Sequence, residues 1–288
     1  MTSAQIGIIG GSGIQEMEGL LDVEKVEMDT PFGRPSAPYV IGTIEGRRAA
    51  FLARHGIGHV FMPTEIPYRA NIYGFKKLGV ERIISCGAVG SMKETIKPLD
   101  FVIPDQFLDR TTRRQASFFG DGIVGHISFA EPVCPDLSKA LVETGRSLGL
   151  TTHPKGTYLC MEGPAFSSLA ESMLYRQWGV DVIGMTNLTE AKLAREAEIC
   201  YSTIALVTDY DCWHEEEENV TVETIVAYLM KNAENAKKLI RHAMSRIGPE
   251  RACHCTSALK GAIFTAPDKM NPRTKENLRL LIDKHVQY

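Results

Sequence analysis

Short apolar runs rich in isoleucine and valine alternate along the chain with longer amphipathic stretches. The apolar runs predict strands at residues 6–9, 49–53, 82–86, 101–103, 157–161, 180–185 and 201–207. Apolar side chains at helical spacing predict helices at residues 67–78, 135–148, 167–178, 189–197, 222–247 and 272–285. Residues 109–126 have no steady period, which predicts a long loop. This alternation of strands and helices is typical of α/β proteins.

The chain contains neither an internal repeat nor a low-complexity linker, so the pattern predicts one α/β domain over residues 1–288. Its core is expected to cover about residues 5–247, and residues 248–288 are expected to form a C-terminal extension that carries the last helix. The strand at residues 82–86 is expected to end in a turn of small residues that begins at Gly87.

Composition and charge argue against several classes of function. The 288 residues include 32 lysines and arginines and 35 aspartates and glutamates, so the basic excess that non-specific nucleic-acid binding uses is missing. The longest apolar runs have the length of strands, which argues against a membrane span, and no secretory signal pattern begins the chain, so a cytoplasmic location is expected. Seven scattered cysteines, an odd number, indicate buried small hydrophobic residues and not a disulfide framework.

Ligands of α/β sheets bind in the crevice beyond the strand ends, and five predicted strand ends carry residues suited to binding. The first is the glycine-rich segment around Ser12, where small residues let backbone amides approach an anion and the hydroxyl adds a donor. The segment lacks the third glycine of a dinucleotide fingerprint and the lysine of a phosphate-binding ATPase loop. A simple tight turn is the alternative interpretation.

Arg54 and His55 follow the second strand. Arginine offers a bidentate fork to phosphate or carboxylate, and histidine adds a donor whose charge follows pH; the alternative is an ion-paired arginine beside a hydrogen-bonded core histidine. His55 and His59 are four residues apart, but the glycines between them argue against a helix, so no metal site is predicted. Gly87 and Ala88 follow the third strand, where their amides would point into the same crevice unless they serve only close packing.

The last two strand ends carry Met185 with Thr186, and Asp209 with Asp211. A methionine offers an apolar wall to a sugar and a threonine a donor to an anion, the alternatives being core packing and a helix cap. Two neighbouring carboxylates separate their pKa values, so that one is protonated and one ionised; an Asx-type turn with solvated carboxylates is the alternative. An anion cradle beside a carboxylate pair fits an enzyme that uses phosphate together with a polar ring. The predicted cradle consists of Ser12, Arg54, His55, Ala88 and Thr186.

The sequence also resembles a known family. Segments that carry the resemblance read, in chain order, GIIGGSGI, ARHG, GAVGS, MEGPAFSS, VDVIGMT, LAREAEICY and TDYDCW. Over about residues 5–247 they are similar to the purine nucleoside phosphorylase superfamily, and in particular to its 5'-methylthioadenosine phosphorylase branch. The resemblance implies a three-layer α/β/α fold with a mixed central sheet.

The resemblance also implies a role for each matching residue. Phosphate would be bound by Ser12, Arg54, His55, Gly87, Ala88 and Thr186. Substrate residues would be Met185 under the ribose, Phe166 against the base, Asp209 and Asp211 at the edge of the base, Ser167 and Val222 near the sulfur-bearing 5' end, and His126 from a neighbouring subunit. That last role requires an oligomer, which the family implies to be a homotrimer or a dimer of trimers.

The implied reaction is phosphorolysis of methylthioadenosine to adenine and 5-methylthioribose 1-phosphate. A protonated Asp209 would donate to N7 of the departing purine, and an ionised Asp211 would accept from the 6-amino group. The two roles are open to exchange, because coupled carboxylates share their proton. Phosphate is a co-substrate, and neither a metal nor an organic cofactor is expected. A broader purine nucleoside phosphorylase is the alternative enzyme, and a non-catalytic nucleoside-binding protein is the alternative class.

Two places fall outside this pattern. Gly184 stands where the family has an asparagine before the Met-Thr pair, which removes a polar contact from the pocket. In the C-terminal extension, Cys253 and Cys255 flank His254. Two free thiols are expected in a reducing cytosol, with a local disulfide and a metal half-site as the alternatives.

Overall fold

A computed structural model describes residues 3–11, 17–214 and 222–286, with side chains described from residue 227 onward in the third segment. Its strands are β1 (Ile6–Gly10), β2 (Leu21–Val26), β3 (Tyr39–Ile44), β4 (Arg47–Ala53), β5 (Arg82–Ser91), β6 (Phe101–Val102), β7 (Gln106–Arg110), β8 (Thr152–His153), β9 (Thr157–Met161), β10 (Val182–Gly184) and β11 (Cys200–Asp209). Its helices are α1 (Tyr68–Lys77), α2 (Pro135–Ser147), α3 (Leu169–Gln177), α4 (Asn187–Glu196), α5 (Val222–Arg246) and α6 (Pro272–Ile282). Strands and helices thus alternate as the apolar pattern predicts.

The described strands form one mixed sheet built around β5. Along the main path the order is β2-β3-β4-β1-β5-β10-β9-β7, and β11 pairs with both β5 and β6. β5 is parallel to β1 and β11 and antiparallel to β10. Strand β5 therefore has β11 along one edge, while β1 and β10 share the other.

Helices cover both faces of this sheet, because side chains alternate between the faces along each strand. Ile83 of β5 packs in the apolar cluster that contains the buried residues of α1, α4 and α6. The next residue, Ile84, packs in the cluster of α2 and α5. The arrangement is a three-layer α/β/α fold with a mixed central sheet, as the resemblance implies.

Several predicted boundaries differ from the structure. The turn expected from Gly87 is wrong, because β5 continues to Ser91 and pairs with β11 through Gly90. The loop expected at residues 109–126 is wrong at its start, where Asp109 and Arg110 end strand β7. Strands β2, β3, β7 and β8 are missing from the prediction. Strands β2 and β8 bury few side chains, so they lack the apolar run that identified the others.

The C-terminal extension packs against the core through α6. Leu278, Leu281 and Ile282 are buried in the same apolar cluster as α1 and α4. The described helices include none with the length and apolar character needed to cross a bilayer.

Glu196, the last residue of α4, is a buried carboxyl that ties this helix to the preceding loop. It accepts hydrogen bonds from the Ser117 hydroxyl (2.7 Å) and the Phe118 amide (2.6 Å). Burial raises its pKa to about 7, against an ordinary value of 4.5, although these hydrogen bonds act in the opposite direction. The folded state therefore holds a proton that the unfolded state has lost between these two pH values.

Replacing Glu196 with glutamine is expected to make unfolding less dependent on pH. Wild-type stability should fall as the pH rises from about 4.5 through 7, by an amount on the order of 2–3 kcal/mol, whereas the glutamine stays neutral throughout. Urea unfolding at pH 5 and pH 8 measures this difference. Glu143→Gln, at an exposed carboxyl of α2, is the control and should behave like wild type. An equal effect of Glu196→Gln at both pH values would contradict the prediction.

Candidate functional site

An opening in the sheet lies along one edge of β5. Strand β1 pairs with this edge only as far as Ser85, and β10 pairs with it only from Gly90. Between these two points, the described strands leave residues 86–89 without a partner on that side. Gly87 is partly exposed and Ala88 exposed, although they lie in the middle of a central strand. The opening is a crevice in which backbone polar groups of β5 are accessible to a ligand.

Arg54, directly after β4, lies at one end of this crevice in a buried ion pair. Its Nε donates to Glu190 Oε1 (2.5 Å), and its terminal nitrogens donate to the Cys86 carbonyl (2.7 Å) and the Ser85 hydroxyl (2.5 Å). Burial would lower the pKa of Arg54, but the charge and hydrogen bonds of Glu190 outweigh it and raise the pKa above its ordinary value. The side chains of Arg54 and Glu190 are each 2% exposed. Glu190 thus fixes the guanidinium, with Nη1 facing Gly87.

His55 enters the same region as a neutral side chain. Burial, with the nearby charge of Arg54, lowers its pKa to about 4. Its ring stacks on that of His59, with centroids 4.1 Å apart, and its Nδ1 lies 2.9 Å from the Phe61 carbonyl oxygen. Because a carbonyl only accepts, Nδ1 carries the proton and Nε2 has a lone pair. His55 can therefore accept a hydrogen bond from a hydroxyl, such as that of a phosphate monoanion or dianion.

The N-terminus of α4 completes this end of the crevice. Thr186 is its N-cap residue and is 6% exposed, but its side chain makes no capping hydrogen bond. The side-chain nitrogen Nδ2 of the next residue, Asn187, lies within hydrogen-bonding distance (2.7–3.0 Å) of the hydroxyl oxygens of Ser85, Tyr201 and Thr203. A Cβ atom at Gly87 would lie 3.5 Å from Asn187 Oδ1 and 3.7 Å from Arg54 Nη1. The structure therefore brings together β4, β5 and the positive end of a helix, a combination suited to an anion.

The carboxylate pair lies farther along β5. Asp209 is the last residue of β11, and a bulge between Val207 and Asp209 sets it opposite Gly90. Its two oxygens accept from the Thr208 hydroxyl (2.6 Å) and from the Asp211 amide (2.9 Å). The second bond is the Asx-type contact that the sequence offered as an alternative. This hydrogen bond fixes the position of the Asp209 carboxylate relative to the backbone of Asp211, whereas solvated carboxylates would be free to move.

Asp211 is the carboxyl whose protonation the surroundings favour. Burial raises its pKa, and the charge of Asp209 raises it further, although the Ser172 hydroxyl, which donates to it at 2.7 Å, acts in the opposite direction. The residue has a positive φ of 53° at the start of a short 3₁₀ helix, Asp211–Trp213. Trp213 anchors this helix by donating to the Ser91 carbonyl at 2.8 Å. The turn is thus bound to the same strand as the anion cradle.

Gly90 allows the carboxylate pair to approach β5. A Cβ atom at this residue would lie 3.0 Å from Asp209 Oδ1 and 3.3 Å from Asp211 Cβ. Gly87 and Gly90 are three residues apart on one strand, which places the two ends of the crevice about 10 Å apart. That distance suits a ligand consisting of an anion, a sugar and a base in line.

Comparisons with known proteins agree with this arrangement. A family model described as the phosphorylase superfamily matches residues 5–245. The chain belongs to the phosphorylase superfamily. It is 58% identical over 282 residues to the S-methyl-5'-thioadenosine phosphorylase of Koribacter versatilis, with 98% of this chain and 97% of the relative covered. Identity to the enzyme of the same name from Geobacter sulfurreducens is also 58% over 282 residues, with 98% and 99% covered.

Solved structures give the same result for the fold. A crystal structure of methylthioadenosine phosphorylase from an antarctic soil metagenomic library matches with a TM-score of 0.94 at 48% identity, covering 98% of this chain and 99% of that one. The methylthioadenosine phosphorylase of Schistosoma mansoni in complex with adenine matches with a TM-score of 0.82 at 31% identity, again covering 98% and 99%. The family and the fold class predicted from the sequence are confirmed.

In this phosphorylase, Gly184 lies against a buried tyrosine. A Cβ atom at residue 184 would lie 1.9 Å from the Tyr158 hydroxyl oxygen, so an asparagine does not fit beside this tyrosine. Burial raises the pKa of Tyr158 well above its ordinary value, and the Thr186 amide donates to the phenol oxygen. The Tyr158 hydroxyl of β9 thus fills the space that a side chain at residue 184 would need.

Met185 is held at the crevice of the phosphorylase through its backbone. Arg114, whose side chain is 1% exposed, donates to the Met185 carbonyl and pairs with Glu162 at 3.1 Å. The Met185 sulfur packs against Gly163, where a Cβ atom would lie 2.7 Å away. Arg114 lies in the segment predicted as a loop without features.

The remaining predicted residues are exposed, partly buried near the carboxylate pair, or outside the described part of the phosphorylase. Phe166 is 81% exposed and His126 is exposed, with its ring 5.2 Å from that of Phe264. Ser167 is partly buried beside the carboxylate pair, where its carbonyl accepts from the Cys212 thiol at 3.3 Å. Ser12 and the side chain of Val222 lie outside the described residues.

Sequence reasoning missed the residues that position the site. Glu190, Ser85 and Asn187 fix Arg54 and the start of α4, Gly90 admits the carboxylates, and Tyr158 and Arg114 support Thr186 and Met185. One signal was available for Glu190. Glu190 lies in the first turn of the helix that follows Thr186, so it lies close to the predicted anion cradle, where a carboxylate can pair with a nearby arginine.

Proposed function

We propose that this phosphorylase cleaves S-methyl-5'-thioadenosine with inorganic phosphate, releasing adenine and 5-methylthioribose 1-phosphate. The observation that carries the proposal is the crevice along β5, with an anion cradle at Gly87 and a carboxylate pair at Gly90. Breaking an N-glycosidic bond develops positive charge on the ribose and negative charge on the purine. Phosphate bound at the cradle would stabilise the positive charge on the ribose. A protonated carboxyl group at the other end would stabilise the negative charge on the purine.

Phosphate binds at the cradle in this proposal. Arg54 presents Nη1 beside Gly87, the β5 backbone is open at Gly87 and Ala88, and Thr186 contributes its hydroxyl at the helix N-terminus. Neutral His55 accepts a hydrogen bond from the phosphate hydroxyl, which turns the charged oxygens toward the donors. Ser12 is assigned to the same phosphate by the resemblance alone. An anion held beneath the anomeric carbon both attacks it and stabilises its positive charge.

The base binds at the carboxylate pair. One carboxyl group donates to N7 of the purine as its bond to the ribose breaks, and the other accepts from the 6-amino group. A 6-oxopurine presents a carbonyl oxygen to the accepting carboxylate, with no proton between them. Such a buried mismatch discriminates strongly, so 6-aminopurines are preferred.

The rest of the substrate is assigned on the resemblance. Met185 lies under the ribose and Phe166 against the base, while Ser167 and Val222 lie near the 5' end. His126 serves the site of a neighbouring subunit in a homotrimer or a dimer of trimers, which its exposure allows. We further propose that the enzyme needs no metal or organic cofactor for this reaction and that it acts in the cytoplasm on small molecules, with no nucleic-acid or membrane partner.

A substrate panel tests the proposal. Methylthioadenosine, adenosine, inosine and methylthioinosine are each incubated with the enzyme, with and without phosphate, and base release is followed by chromatography. Methylthioadenosine should have the highest kcat/KM, and adenine should appear only when phosphate is present. Faster turnover of either 6-oxopurine would overturn the specificity. Release of adenine without phosphate would overturn phosphorolysis, and binding without turnover would favour a non-catalytic protein.

A further inference from the structure

Four cysteines from three separate segments meet outside the crevice. Cys134 is the N-cap residue of α2, Cys200 begins β11, and Cys253 and Cys255 lie in the C-terminal extension. Their four Sγ atoms all lie within 4.8 Å of one another, and those of Cys200 and Cys253 are 3.3 Å apart. All four are free thiols; three are buried and Cys253 is partly exposed.

We propose that these four cysteines bind one zinc ion in a closed tetrahedral site. Zinc-to-sulfur bonds of about 2.3 Å in a tetrahedron place the sulfur atoms about 3.8 Å apart, which fits the observed spread. Four thiolates leave no coordination position for water or substrate, which is the character of a structural site. Soft sulfur ligands select zinc over magnesium or calcium. The site does not depend on the proposed function.

The local backbone allows both cysteines of the extension to face one point. Cys253 is extended, and the chain then turns into a short 3₁₀ helix, His254–Ser257, which contains Cys255. On the core side, the Cys134 amide donates to the Tyr201 carbonyl at 2.8 Å, which fixes the start of α2 against β11. The ligands thus come from elements held in place by other contacts.

Arginine side chains and a helix N-terminus lie beside the sulfur cluster. A four-thiolate zinc site carries two net negative charges, and Cys134 lies at the positive end of the α2 dipole. A cavity of about 190 Å³ leads to the cluster; besides Cys134, Cys200 and Cys253, its charged lining residues are Arg82, Arg246, Arg251, Asp136 and Glu250. It offers a path by which the metal enters while the four thiols release their protons to solvent.

The site would fasten the C-terminal extension to the core. Beyond Cys255, the extension pairs with the segment before α2: the His126 amide donates to the Ala262 carbonyl, and the Phe264 amide donates to the Val124 carbonyl, each at 2.9 Å. Arg82 also holds the extension, by donating to the Glu250 carbonyl at 2.7 Å. A metal at the cysteines would therefore stabilise the segment that carries His126.

Metal content and thiol chemistry test the proposal in the full-length protein. Protein made in zinc-supplemented medium and purified with a reductant but no chelator should contain about one zinc per chain. After removal of zinc under reducing conditions, titration with Co²⁺ should saturate at about one equivalent, with the sulfur-to-cobalt charge-transfer and visible bands of a tetrahedral four-thiolate site. The cobalt spectrum reports the ligands directly and does not require a variant to fold.

Two variants locate the site. Cys253→Ser with Cys255→Ser should lose the zinc and the cobalt spectrum, whereas Cys212→Ser, at an exposed thiol outside the cluster, should keep both. Wild-type protein with no zinc and no tetrahedral cobalt spectrum would overturn the proposal. So would retention of zinc by the double variant, or mass spectrometry showing the four cysteines joined in two disulfides under the same reducing conditions.

Discussion

Replacing Asp209 with asparagine is expected to lower kcat for methylthioadenosine by about 10²- to 10⁴-fold, the usual contribution of a general acid. The KM for phosphate should change little, because the phosphate cradle lies about 10 Å away along β5. Asparagine retains the shape of the side chain and still accepts from the Asp211 amide through its carbonyl oxygen. Steady-state kinetics with each substrate varied in turn measure both parameters.

Asp211→Asn is the matched comparison, because the two carboxyl groups are open to exchange of roles. If Asp211 accepts from the 6-amino group, its asparagine variant should lose kcat/KM for methylthioadenosine and gain relative activity on methylthioinosine. The raised pKa of Asp211 favours the opposite assignment, in which Asp211 donates the proton and Asp209 accepts. The same experiment tests both assignments. A larger loss of kcat in Asp211→Asn than in Asp209→Asn would assign the proton donor to Asp211. Unchanged kcat in both variants would contradict acid catalysis by this pair.

Replacing Glu190 with glutamine is expected to destabilise the protein by about 3–5 kcal/mol, because it leaves the guanidinium of Arg54 buried without a counter-charge. The ion pair is 2% exposed on both sides, so water cannot replace the lost carboxylate. The KM for phosphate should rise more than the KM for the nucleoside, because Arg54 would no longer be fixed beside Gly87. Urea unfolding and initial-rate kinetics measure the two effects.

Glu196→Gln is the control for this variant, because it makes the same exchange on the same helix at a buried carboxyl without an arginine partner. At pH 8 the two substitutions should act in opposite directions on stability. Equal stability of Glu190→Gln and wild type would show that the ion pair contributes no net stabilisation. Equal changes in both KM values would contradict the positioning role of Glu190.

The sequence predicted the layers of this fold better than the limits of its strands. Alternating apolar runs identified the central strands, because these strands are buried on both faces and cannot tolerate polar residues. Small residues in β5 misled the prediction, since glycine and alanine after an apolar run usually indicate a turn. Here they lie in a paired strand, because β11 supports its other edge and the ligand side must remain open.

In the candidate site, too, the sequence predicted some residues and missed others. Residues that face the crevice, such as Arg54 and Asp209, were identified because their chemistry is unusual at the end of an apolar run. Residues that position them were missed, because Glu190 and Arg114 act through contacts 136 and 71 residues distant in the chain. Contacts at such separations depend on strand order and register, which a single sequence does not reveal. Ser12 and Val222 stay predictions.

The crevice along β5 also limits how substrate specificity can change during the evolution of this fold. The proposed phosphate end and base end share one strand whose opposite edge is paired through Gly90, so moving either end would disturb the pairing at the centre of the sheet. Ser167, assigned to the 5' end, lies in the segment before α3 and outside that strand. Enzymes that catalyse the same reaction on substrates with another 5' group can therefore arise by changes in connecting segments alone. A change in the distance between the phosphate site and the base site would require a change in the sheet.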